Sequence, residues 1–335
     1  MKILYLSMIE RNSGWGGEWY LNSALNNSGA QTIPLDYTLE RHLLGDKFLV
    51  LDNFDVFFLQ LGDYFPLPLV NAINRPRFFY CSELVTRYHA ADHLFESGLF
   101  DHYFVRGPAC ARELIARGWL TEDKISTHLS AFDPETYQRI NLERDIDVLF
   151  VGSLMPRRMK ILEKLSAMFN VSVVSAYGKE ACKFYNRAKI ILNIHADDYL
   201  DTETRIFEVL GSGGFLITEK LSEENPFVHG ELIEVSSIDE MEEKITYYIA
   251  HEEERRMIAN YGYETANTKH TYLQRAKDLI DVFSKYLPVK EGPALHLDAV
   301  YAYARWKHIR RIIAFTKHAK WNMKRRLISC LGVKK

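Results

Sequence analysis

The stretch KIILNIHADDYLDTETRIFEVLGSGG (189–214) places polar side chains where a predicted strand passes into a predicted helix. Asn193 and His195 lie at the end of that strand, where an α/β sheet presents its ligand contacts, although a histidine there can equally be packed and hydrogen-bonded. Glu208 lies on the helix, and its carboxylate suits two vicinal hydroxyl groups such as those of a ribose. The helix start has free amides that can cradle phosphate, and its residues are Thr202, Glu203 and Thr204.

A basic cluster follows the strand predicted in FVGSLMPRRMKIL (150–162). Arg157, Arg158 and Lys160 stand at or near the start of the next helix, where positive charges oppose the helix dipole. That arrangement is tolerable if an anion binds beside them; the other interpretation is a basic face in water.

Glycines occupy the first predicted β-α loop, SMIERNSGWGGEWY (7–20). Gly14, Gly16 and Gly17 allow a ligand to approach the backbone, and the following helix offers free N–H groups to an anion. Their spacing is not G-x-G-x-x-G, which argues against a dinucleotide fingerprint. A turn without any ligand is the alternative.

Two domains must position these residues, because a chain of 335 residues exceeds the usual size of one domain. Short apolar runs alternate with helical stretches, a pattern typical of β-α units and parallel sheets, and it restarts after a polar bridge at 133–145. We predict two Rossmann-like, doubly wound α/β domains that face a cleft, with the ligand outside the carboxyl ends of their strands. The predicted parts are an N-terminal domain (1–140), a C-terminal domain (141–287) whose last helix can cross back to the first domain, and a tail (288–335).

The strands of both domains are predicted from apolar runs. Those of the first domain are KILYLS (2–7), AQTIPL (30–35), DVFFLQ (55–60), RFFYCS (77–82) and DHYFVRG (101–107). Those of the second are DIDVLFVGS (145–153), VSVVSAYG (171–178), KIILNIH (189–195), GFLITE (214–219) and ELIEVS (231–236). The last helical stretch of that domain, 253–287, is expected to break near Gly262.

Cysteine usage and hydropathy favour a cytoplasmic protein. The four cysteines are scattered and form no C-x-x-C pair, which argues against a disulfide framework or a zinc site. The N-terminal residues predict a buried strand rather than a signal peptide, and no apolar run approaches the ~18 residues that span a bilayer.

The C-terminal segment 299–335 is strongly basic. It contains 11 Lys/Arg and no Asp or Glu, whereas the whole chain has 42 Lys/Arg and 44 Asp/Glu. Trp306, Ile309, Ile313 and Trp321 accompany these cations, which is typical of a basic amphipathic helix on anionic lipid. The segment therefore predicts peripheral association with the inner face of the membrane; the alternatives are packing on the protein's own acidic body and nucleic-acid binding, the latter not expected.

RIFEVLGSGGFLITEK (205–220) resembles the FE-x-x-x-x-G-x-x-L-L-T signature of the CgeB-like spore-maturation glycosyltransferases. These are relatives of the family 4 glycosyltransferases (glycosyl transferases group 1), which have the GT-B fold. FVGSLMPRRMKIL is similar to the loop that opens their C-terminal domain, and KIILNIH and ITYYIAHEEERRMIANYGYETANTKHTY (245–272) follow their pattern. The resemblance covers roughly residues 145–285.

The resemblance implies transfer of a sugar from a nucleotide-diphosphate donor to a glycan, lipid-linked or other hydroxyl acceptor, as in cell-surface polysaccharide or glycoconjugate synthesis. Glu208 resembles the second glutamate of the E-x7-E motif, which binds the donor ribose. Arg157 and Lys160 resemble the residues that hold the diphosphate, with Arg158 as a substitute. The glycines that match the family pattern are Gly16, Gly17, Gly213 and Gly214.

The sequence departs from the family at Leu200, which stands where the first E-x7-E glutamate is expected. Asp201 or Glu203 would then cover its role, and the sugar and the stereochemical outcome are left open. An inverting reaction needs a general base, which Glu83 or His89 offers. Retention, in which the diphosphate oxygen takes the acceptor proton, is the expected outcome. GT-B enzymes usually dispense with a metal, so neither a metal nor a cofactor is expected.

Three other functions remain open from the sequence. A nucleotide-sugar epimerase shares the two-domain fold and would act on the donor alone. A non-catalytic nucleotide-sugar sensor or scaffold would bind the donor without releasing nucleoside diphosphate. A nicotinamide oxidoreductase is disfavoured, because the glycine fingerprint is missing.

Overall fold

The structure is a computed structural model that describes residues 1–197, 200, 202–289 and 291–330, with side chains up to residue 314. Asp201, one of the two residues expected to replace the missing glutamate, lies outside the described residues. The chain forms two parallel β-sheets, one from residues 2–127 and one from residues 146–235. No helix among the described residues is long and apolar enough to span a bilayer.

The first sheet has its strands at Lys2–Ser7 (β1), Gln31–Asp36 (β2), Val56–Gln60 (β3), Arg77–Cys81 (β4), His102–Val105 (β5) and Ile125–Thr127 (β6). All pair in parallel, in the order β2-β1-β3-β4-β5-β6. Its helices are Gly17–Asn27 (α1), Leu44–Leu49 (α2), Leu67–Asn71 (α3), Asp92–Glu96 (α4) and Pro108–Ala116 (α5).

Both faces of this sheet are buried, as the continuous apolar runs of the sequence require. Leu4 and Leu6 point into the hydrophobic cluster on one face, and Ile3 and Tyr5 point into the cluster on the other. The alternation follows from the two-residue period of side chains along a strand.

The second sheet has its strands at Ile146–Val151 (β7), Val171–Val174 (β8), Ala188–Asn193 (β9), Leu216–Glu219 (β10) and Ile233–Val235 (β11). They are parallel and ordered β11-β10-β9-β7-β8, so the first strand of each domain lies between its second and third. The helices are Pro156–Ser166 (α6), Gly178–Arg187 (α7), Thr204–Gly211 (α8), Ile238–Ala250 (α9) and Glu252–Lys269 (α10).

The chain returns to the first domain after α10. Helix Tyr272–Ser284 (α11) packs Leu279 and Phe283 into the cluster around Tyr5, and the rings of Phe283 and Phe78 are 4.4 Å apart between centroids. At the crossing, the Phe132 N–H donates to the His270 carbonyl at 3.1 Å, and the Tyr272 N–H donates to the Phe132 carbonyl at 3.0 Å. The outgoing and returning segments therefore run side by side.

The C-terminal helix, Leu297–Cys330 (α12), also lies on the first domain. Val300 and Tyr303 belong to its hydrophobic cluster. A Cβ atom on Gly45 of α2 would come within 2.9 Å of the Ala304 Cα, so the two helices touch closely. The beginning of the basic tail is thus part of the folded body.

One expectation about the elements was wrong, and one strand was missed. The helical stretch does not break near Gly262, because α10 is continuous through it and ends at Lys269. Gly262 instead permits close packing, since a Cβ atom there would lie 2.4 Å from the Glu231 carbonyl oxygen. The short strand β6 was missed, because its sequence IST has only one large apolar residue.

Candidate functional site

A cavity of about 510 Å³ opens between the carboxyl ends of the two sheets. This size suits a ligand pocket, for which roughly 300–1,000 Å³ is typical. Residues that follow β1 and β3 line its first-domain wall, and the end of β7 and the start of α8 line its second-domain wall. Each wall lies where the strand order of its sheet reverses, the usual ligand position in doubly wound folds.

The cavity brings together six of the residues singled out from the sequence. They are Gly16, Gly17, Glu83, Glu203, Thr204 and Glu208. Both glycines face crowded surroundings: a Cβ atom on Gly16 would lie 2.4 Å from the Asn12 Cβ, and one on Gly17 would lie 2.5 Å from the Tyr272 hydroxyl. Gly16 therefore packs tightly within its own loop and Gly17 packs against Tyr272, so neither position has room for a larger side chain.

Glu208 lies at the floor of the cleft between two tyrosines. The Tyr137 hydroxyl donates to Oε1 at 2.9 Å, and the Tyr185 hydroxyl donates to Oε2 at 3.3 Å. Burial raises the pKa of Glu208, and the Tyr137 hydrogen bond, the charge of Arg205 and the Tyr185 hydrogen bond oppose the shift. Because each carboxylate oxygen can accept about two hydrogen bonds, each retains one acceptor site for a pair of ligand hydroxyls.

Arg205 is the functional candidate that sequence reasoning missed. It lines the cleft in the first turn of α8, and its Nη1 donates to the Asn193 amide oxygen at 2.8 Å and to Glu203 at 3.1 Å. Gly152 leaves room for the guanidinium, since a Cβ atom there would lie 2.4 Å from Nη2. Its signal in the sequence was the placement of a cation three residues before Glu208, on the same face of one helix.

Glu203 is the N-cap residue of α8, and its carboxylate holds several cations together. Arg158, itself 5% exposed, donates to both oxygens at 2.9 Å. Burial opposes ionisation of Glu203, but His195, Arg205 and Arg158 outweigh it and lower its pKa to about 2. Burial likewise opposes the charge on His195, yet the Glu203 carboxylate, 3.7 Å from Nδ1, and the hydrogen bond to the Lys220 carbonyl raise its pKa.

The predicted diphosphate contacts lie away from the cavity. Arg157 forms a two-pronged ion pair with Glu219, at 2.8 and 2.6 Å, and also donates to the His195 carbonyl. Lys160 is exposed on α6. The arginines at the start of α6 are therefore compensated by the protein's own carboxylates, since Arg158 is paired with Glu203.

The remaining predicted residues do not line the cleft. Asn193 is fully buried and orients Arg205, while Thr202 lines a smaller cavity of about 80 Å³ together with Leu200. His89 is exposed and bonded to Asp92 at 2.9 Å. Gly213 and Gly214 lie at the other end of α8 and serve packing: Cβ atoms there would meet the Arg139 Nε at 2.3 Å and the Ile191 Cδ1 at 2.4 Å.

Carboxylates line the first-domain wall: Glu18, Asp63 and Glu83. Glu18 is 8% exposed, accepts a hydrogen bond from the Asn12 amide at 3.0 Å, and has a pKa raised by burial. Burial also raises the pKa of Asp63, whose Oδ1 is buried without a hydrogen-bond partner among the described residues. The Tyr88 hydroxyl on the same wall is also buried without a hydrogen-bond partner among the described residues.

A strained turn presents Asp63 to the cleft. Leu61 and Tyr64 have φ angles of +69° and +49°, and Gly62 between them has +75°. Left-handed backbone at residues other than glycine costs about 1–3 kcal/mol each and is concentrated at functional sites. This turn therefore marks the first-domain wall as a binding surface.

Direct contacts join the two domains around the cleft. The rings of Trp15 and Tyr177 are 4.9 Å apart between centroids, one from each domain. The Arg106 guanidinium donates to the Thr202 carbonyl at 3.0 Å, and Arg87 forms an ion pair with Asp197. Both walls can therefore contact one ligand in this structure.

The sequence of the second domain is similar to a known protein family. Residues 145–281 match the family model described as glycosyl transferase-like. A 64-residue segment is 42% identical to an uncharacterised protein of Acanthamoeba polyphaga mimivirus, covering 19% of this chain and 23% of that relative.

Solved structures show the same fold. Sucrose-phosphate synthase from Thermosynechococcus elongatus superposes with a TM-score of 0.64 at 11% identity, covering 85% of this chain and 98% of that one. HepE of Anabaena, solved in complex with UDP-glucose, superposes with a TM-score of 0.63 at 13% identity, covering 85% and 100%. A glycosyltransferase from Rickettsia africae superposes with a TM-score of 0.58 at 10% identity, covering 86% and 99%.

The GT-B fold predicted from the sequence is confirmed by these superpositions. The match of residues 145–281 supports the predicted activity, sugar transfer from a nucleotide donor. Residues 145–281 thus form a glycosyl transferase-like domain, set against a second parallel-sheet domain across a ligand-sized cleft.

Proposed function

We propose that this protein is a glycosyltransferase that binds a nucleoside-diphosphate sugar on the second-domain wall of the cleft and an acceptor hydroxyl on the first-domain wall. The single observation that carries the proposal is the arrangement along α8. A cation and free amides stand at its start, and a carboxylate follows one turn later in the same cavity. Thr204 and Glu208 are separated by about 6 Å along the helix axis, a separation that suits a diphosphate joined to a ribose.

The start of α8 carries an excess of positive charge. Among the described residues, Arg158 and Arg205 share the single carboxylate of Glu203, and protonation of His195 adds a further positive charge. The N-terminus of α8 adds the favourable end of the helix dipole, and the Glu203 side chain makes no capping bond there. We propose that Arg205 and these amides, rather than Arg157 and Lys160, stabilise the charge that develops on the leaving diphosphate.

Glu208 is proposed to bind the donor ribose, as the sequence suggested. Its two oxygens are each held by one tyrosine hydroxyl and retain one acceptor site each. A vicinal diol supplies the two donors that fill those sites.

We further propose a CgeB-like, retaining and metal-independent reaction, in which an oxygen of the leaving diphosphate takes the acceptor proton. Such a reaction requires no base from the first domain, whose carboxylates would then bind acceptor hydroxyls. The buried, unpartnered Asp63 Oδ1 and Tyr88 hydroxyl support this role, because both lack a hydrogen-bond partner among the described residues.

A binding titration tests the donor site. UDP-, GDP-, dTDP- and CMP-linked sugars are titrated calorimetrically against the wild-type protein and against Glu208→Ala. We expect one donor to bind and Glu208→Ala to weaken it about tenfold or more, since a hydrogen bond to a charged group contributes roughly 1.5–3 kcal/mol. Glu180→Ala, which removes an exposed glutamate of α7 outside the cleft, is the matched control. Equal affinities for Glu208→Ala and wild type would remove Glu208 from the site.

Release of nucleoside diphosphate in the presence of an acceptor then distinguishes transfer from binding alone. Conversion of the donor to a free sugar epimer without an acceptor would instead identify an epimerase.

Peripheral membrane association is proposed for the exposed side of α12. Trp306, Ile309 and Ile313 are about half exposed there, among Lys307, Arg310 and Arg311. Deleting 299–335 is a poor test, because Val300 and Tyr303 belong to the first-domain core. Ile309→Glu should instead reduce flotation with anionic vesicles while leaving the melting temperature unchanged; equal flotation would contradict the proposal.

A further inference from the structure

A second cavity, of about 130 Å³, lies at the opposite end of the second sheet from the cleft. Arg144 lies just before β7, Lys189 is the second residue of β9, and Phe215 lies just before β10. The cavity therefore adjoins the amino ends of these strands. The cleft, by contrast, is lined by Val151 and Gly152 at the carboxyl end of β7. The second cavity is therefore separate from the proposed donor site.

Basic side chains dominate the lining of this cavity: Arg139, Arg144, Lys189, Arg255 and Arg256, against a single carboxylate, Glu252. Two of the five are neutralised locally, since Lys189 pairs with Asp147 at 2.6 Å and Arg256 pairs with Glu253 at 2.7 Å. The other three are arginines without an ion pair to any described carboxylate.

These three arginines, Arg139, Arg144 and Arg255, are held by neutral oxygen atoms. Arg139 donates to the Asn260 amide oxygen at 2.6 Å, and its guanidinium lies 3.9 Å from the Tyr263 ring centroid. Arg144 donates to the carbonyls of Ala188 and Gly213, and Arg255 donates to those of Tyr248 and Ile249. The contacts fix the side chains in place, and Glu252 is the one carboxylate in the described lining that offsets their charges.

Arg144 is repelled by the other two arginines. Burial lowers its pKa, and the charges of Arg255 and Arg139 lower it further, while the charge of Glu252 opposes the shift. Arg255 is only 7% exposed, and burial lowers its pKa against the opposing charge of Glu252. Guanidinium groups stay charged in proteins, so the cluster carries a standing electrostatic cost that a bound anion would remove.

We propose that the cavity formed by Arg139, Arg144 and Arg255 binds a phosphate group, either as inorganic phosphate or at the end of a small phosphomonoester. Guanidinium groups match the geometry of phosphate oxygens and provide several donors each. Arg255 also stands in the first turn of the 18-residue helix α10, where the helix dipole favours an anion. The volume, about a quarter of that of the cleft, suits a phosphate and excludes a whole nucleotide sugar.

The test is a calorimetric titration of inorganic phosphate and of methyl phosphate at constant ionic strength, balanced with chloride. We expect saturable binding to the wild-type protein, weakened about tenfold or more in the double variant Arg139→Gln/Arg144→Gln, because two charge-assisted contacts are lost. Arg255 is left intact, since its carbonyl contacts support the turn between α9 and α10. Tighter binding of inorganic phosphate identifies free phosphate as the ligand, and binding of methyl phosphate that is equal or tighter shows that the site accepts an ester.

Two controls separate this site from others. Arg187→Gln removes an exposed, ion-paired arginine of the same domain and should leave phosphate binding unchanged. Arg205→Gln removes the cleft cation and should also leave it unchanged. Binding that survives the double variant, or that is lost with Arg205→Gln, would overturn the proposal, as would the absence of saturable binding by both probes. Folding of each variant is checked by its melting temperature.

Discussion

The two walls of the cleft come from domains with the same strand order, yet their charges differ. The second-domain wall offers Arg205 and the start of α8 beside Glu203 and Glu208, whereas the first-domain wall offers only the carboxylates Glu18, Asp63 and Glu83 as charged groups in the described lining. Among the described residues that line the cleft, Arg205 is the only Lys or Arg side chain. A common architecture therefore presents two chemically distinct surfaces to one cavity.

The difference separates the two proposed substrates by charge. A nucleoside diphosphate is strongly anionic and is repelled by clustered carboxylates, so it belongs on the second-domain wall. The first-domain wall suits a ligand that offers hydroxyl donors. We therefore expect an acceptor whose reacting end is rich in hydroxyl groups and carries no negative charge.

The largest effect is expected for stability, when the charge pairing behind the second-domain wall is broken by Glu203→Gln. This variant leaves the buried Arg158 guanidinium without its partner, which typically costs about 3–5 kcal/mol. Chemical denaturation at pH 7 measures the loss. Lys164→Gln, which breaks an exposed ion pair with Asp239, should cost less than about 1 kcal/mol.

The same variant should change the acid limb of the stability profile. The pKa of Glu203 is lowered to about 2 in the folded protein, so its stabilisation is fully present above its ordinary pKa of 4.5 and is lost as the pH falls toward 2. The shift corresponds to about 3 kcal/mol. Glu203→Gln should remove this part of the pH dependence; an unchanged profile between about pH 5 and about pH 2 would show that Glu203 is not the group responsible.

The next largest effect is expected for Arg205→Gln, which removes the cation from the second-domain wall. If Arg205 stabilises the leaving diphosphate, kcat/KM for the donor should fall about 100-fold (~2.7 kcal/mol). Arg205→Lys should restore part of the loss. Lys160→Gln, at an exposed residue that the sequence suggested for the same role, should have little effect; the opposite ranking would return the diphosphate to the start of α6.

A smaller effect is expected on the first-domain wall, for Glu18→Gln. In a retaining reaction Glu18 binds the acceptor, so the acceptor KM should rise about tenfold while donor affinity stays unchanged. Loss of a general base would instead lower kcat by roughly 10²–10⁴-fold. That larger loss, together with inversion at the anomeric carbon of the product by NMR, would make Glu18 the base of an inverting enzyme.

The pH profile adds a second measurement on Glu18. Its pKa is raised by burial, so a reaction that needs the ionised carboxylate loses activity as the pH falls through that raised pKa. If Glu18 is the base, the acidic limb of kcat/KM should be absent in Glu18→Gln. If the retaining proposal holds, wild type and variant should share the same limb.

The smallest effect is expected where the two walls meet, for Trp15→Ala. The Trp15–Tyr177 contact joins the domains at the edge of the cleft, and such aromatic pairs are worth about 0.5–1.5 kcal/mol. We expect the donor Kd to rise by about two- to tenfold, without a change in melting temperature. Tyr177→Ala should raise the donor Kd by the same factor, and the double variant should raise it no further. Additive losses in the double variant would show that the two rings act independently.

The sequence predicted the fold better than the charges of the site. Fully buried parallel strands appear as continuous apolar runs, so β1 was found over Lys2–Ser7 with its observed bounds. The position of Glu208 followed from its place on a helix after a buried strand. Its tyrosine partner Tyr137 did not, because it is 71 residues away and the contact exists only in the folded chain.

The pairing of cations was not readable from the sequence. Arg157, Arg158 and Lys160 looked uncompensated at a helix start, yet Arg157 and Arg158 find Glu219 and Glu203 across 62 and 45 residues of chain. Arg205 was overlooked beside this denser cluster. Local spacing shows which charges are close along the chain, but only the packing of the sheet decides which of them remain available to a ligand.

The paired segments at Phe132 and Thr271 have a mechanical consequence. Two chain crossings held side by side form a hinge, which would leave the domains one easy axis of rotation. In an opening rotation about that axis, Tyr272 beside it would shift little, while the Trp15–Tyr177 contact at the rim would separate. Opening would thus admit the ligand at the mouth of the cleft while the floor around Glu208 keeps its arrangement, ready for the next turnover.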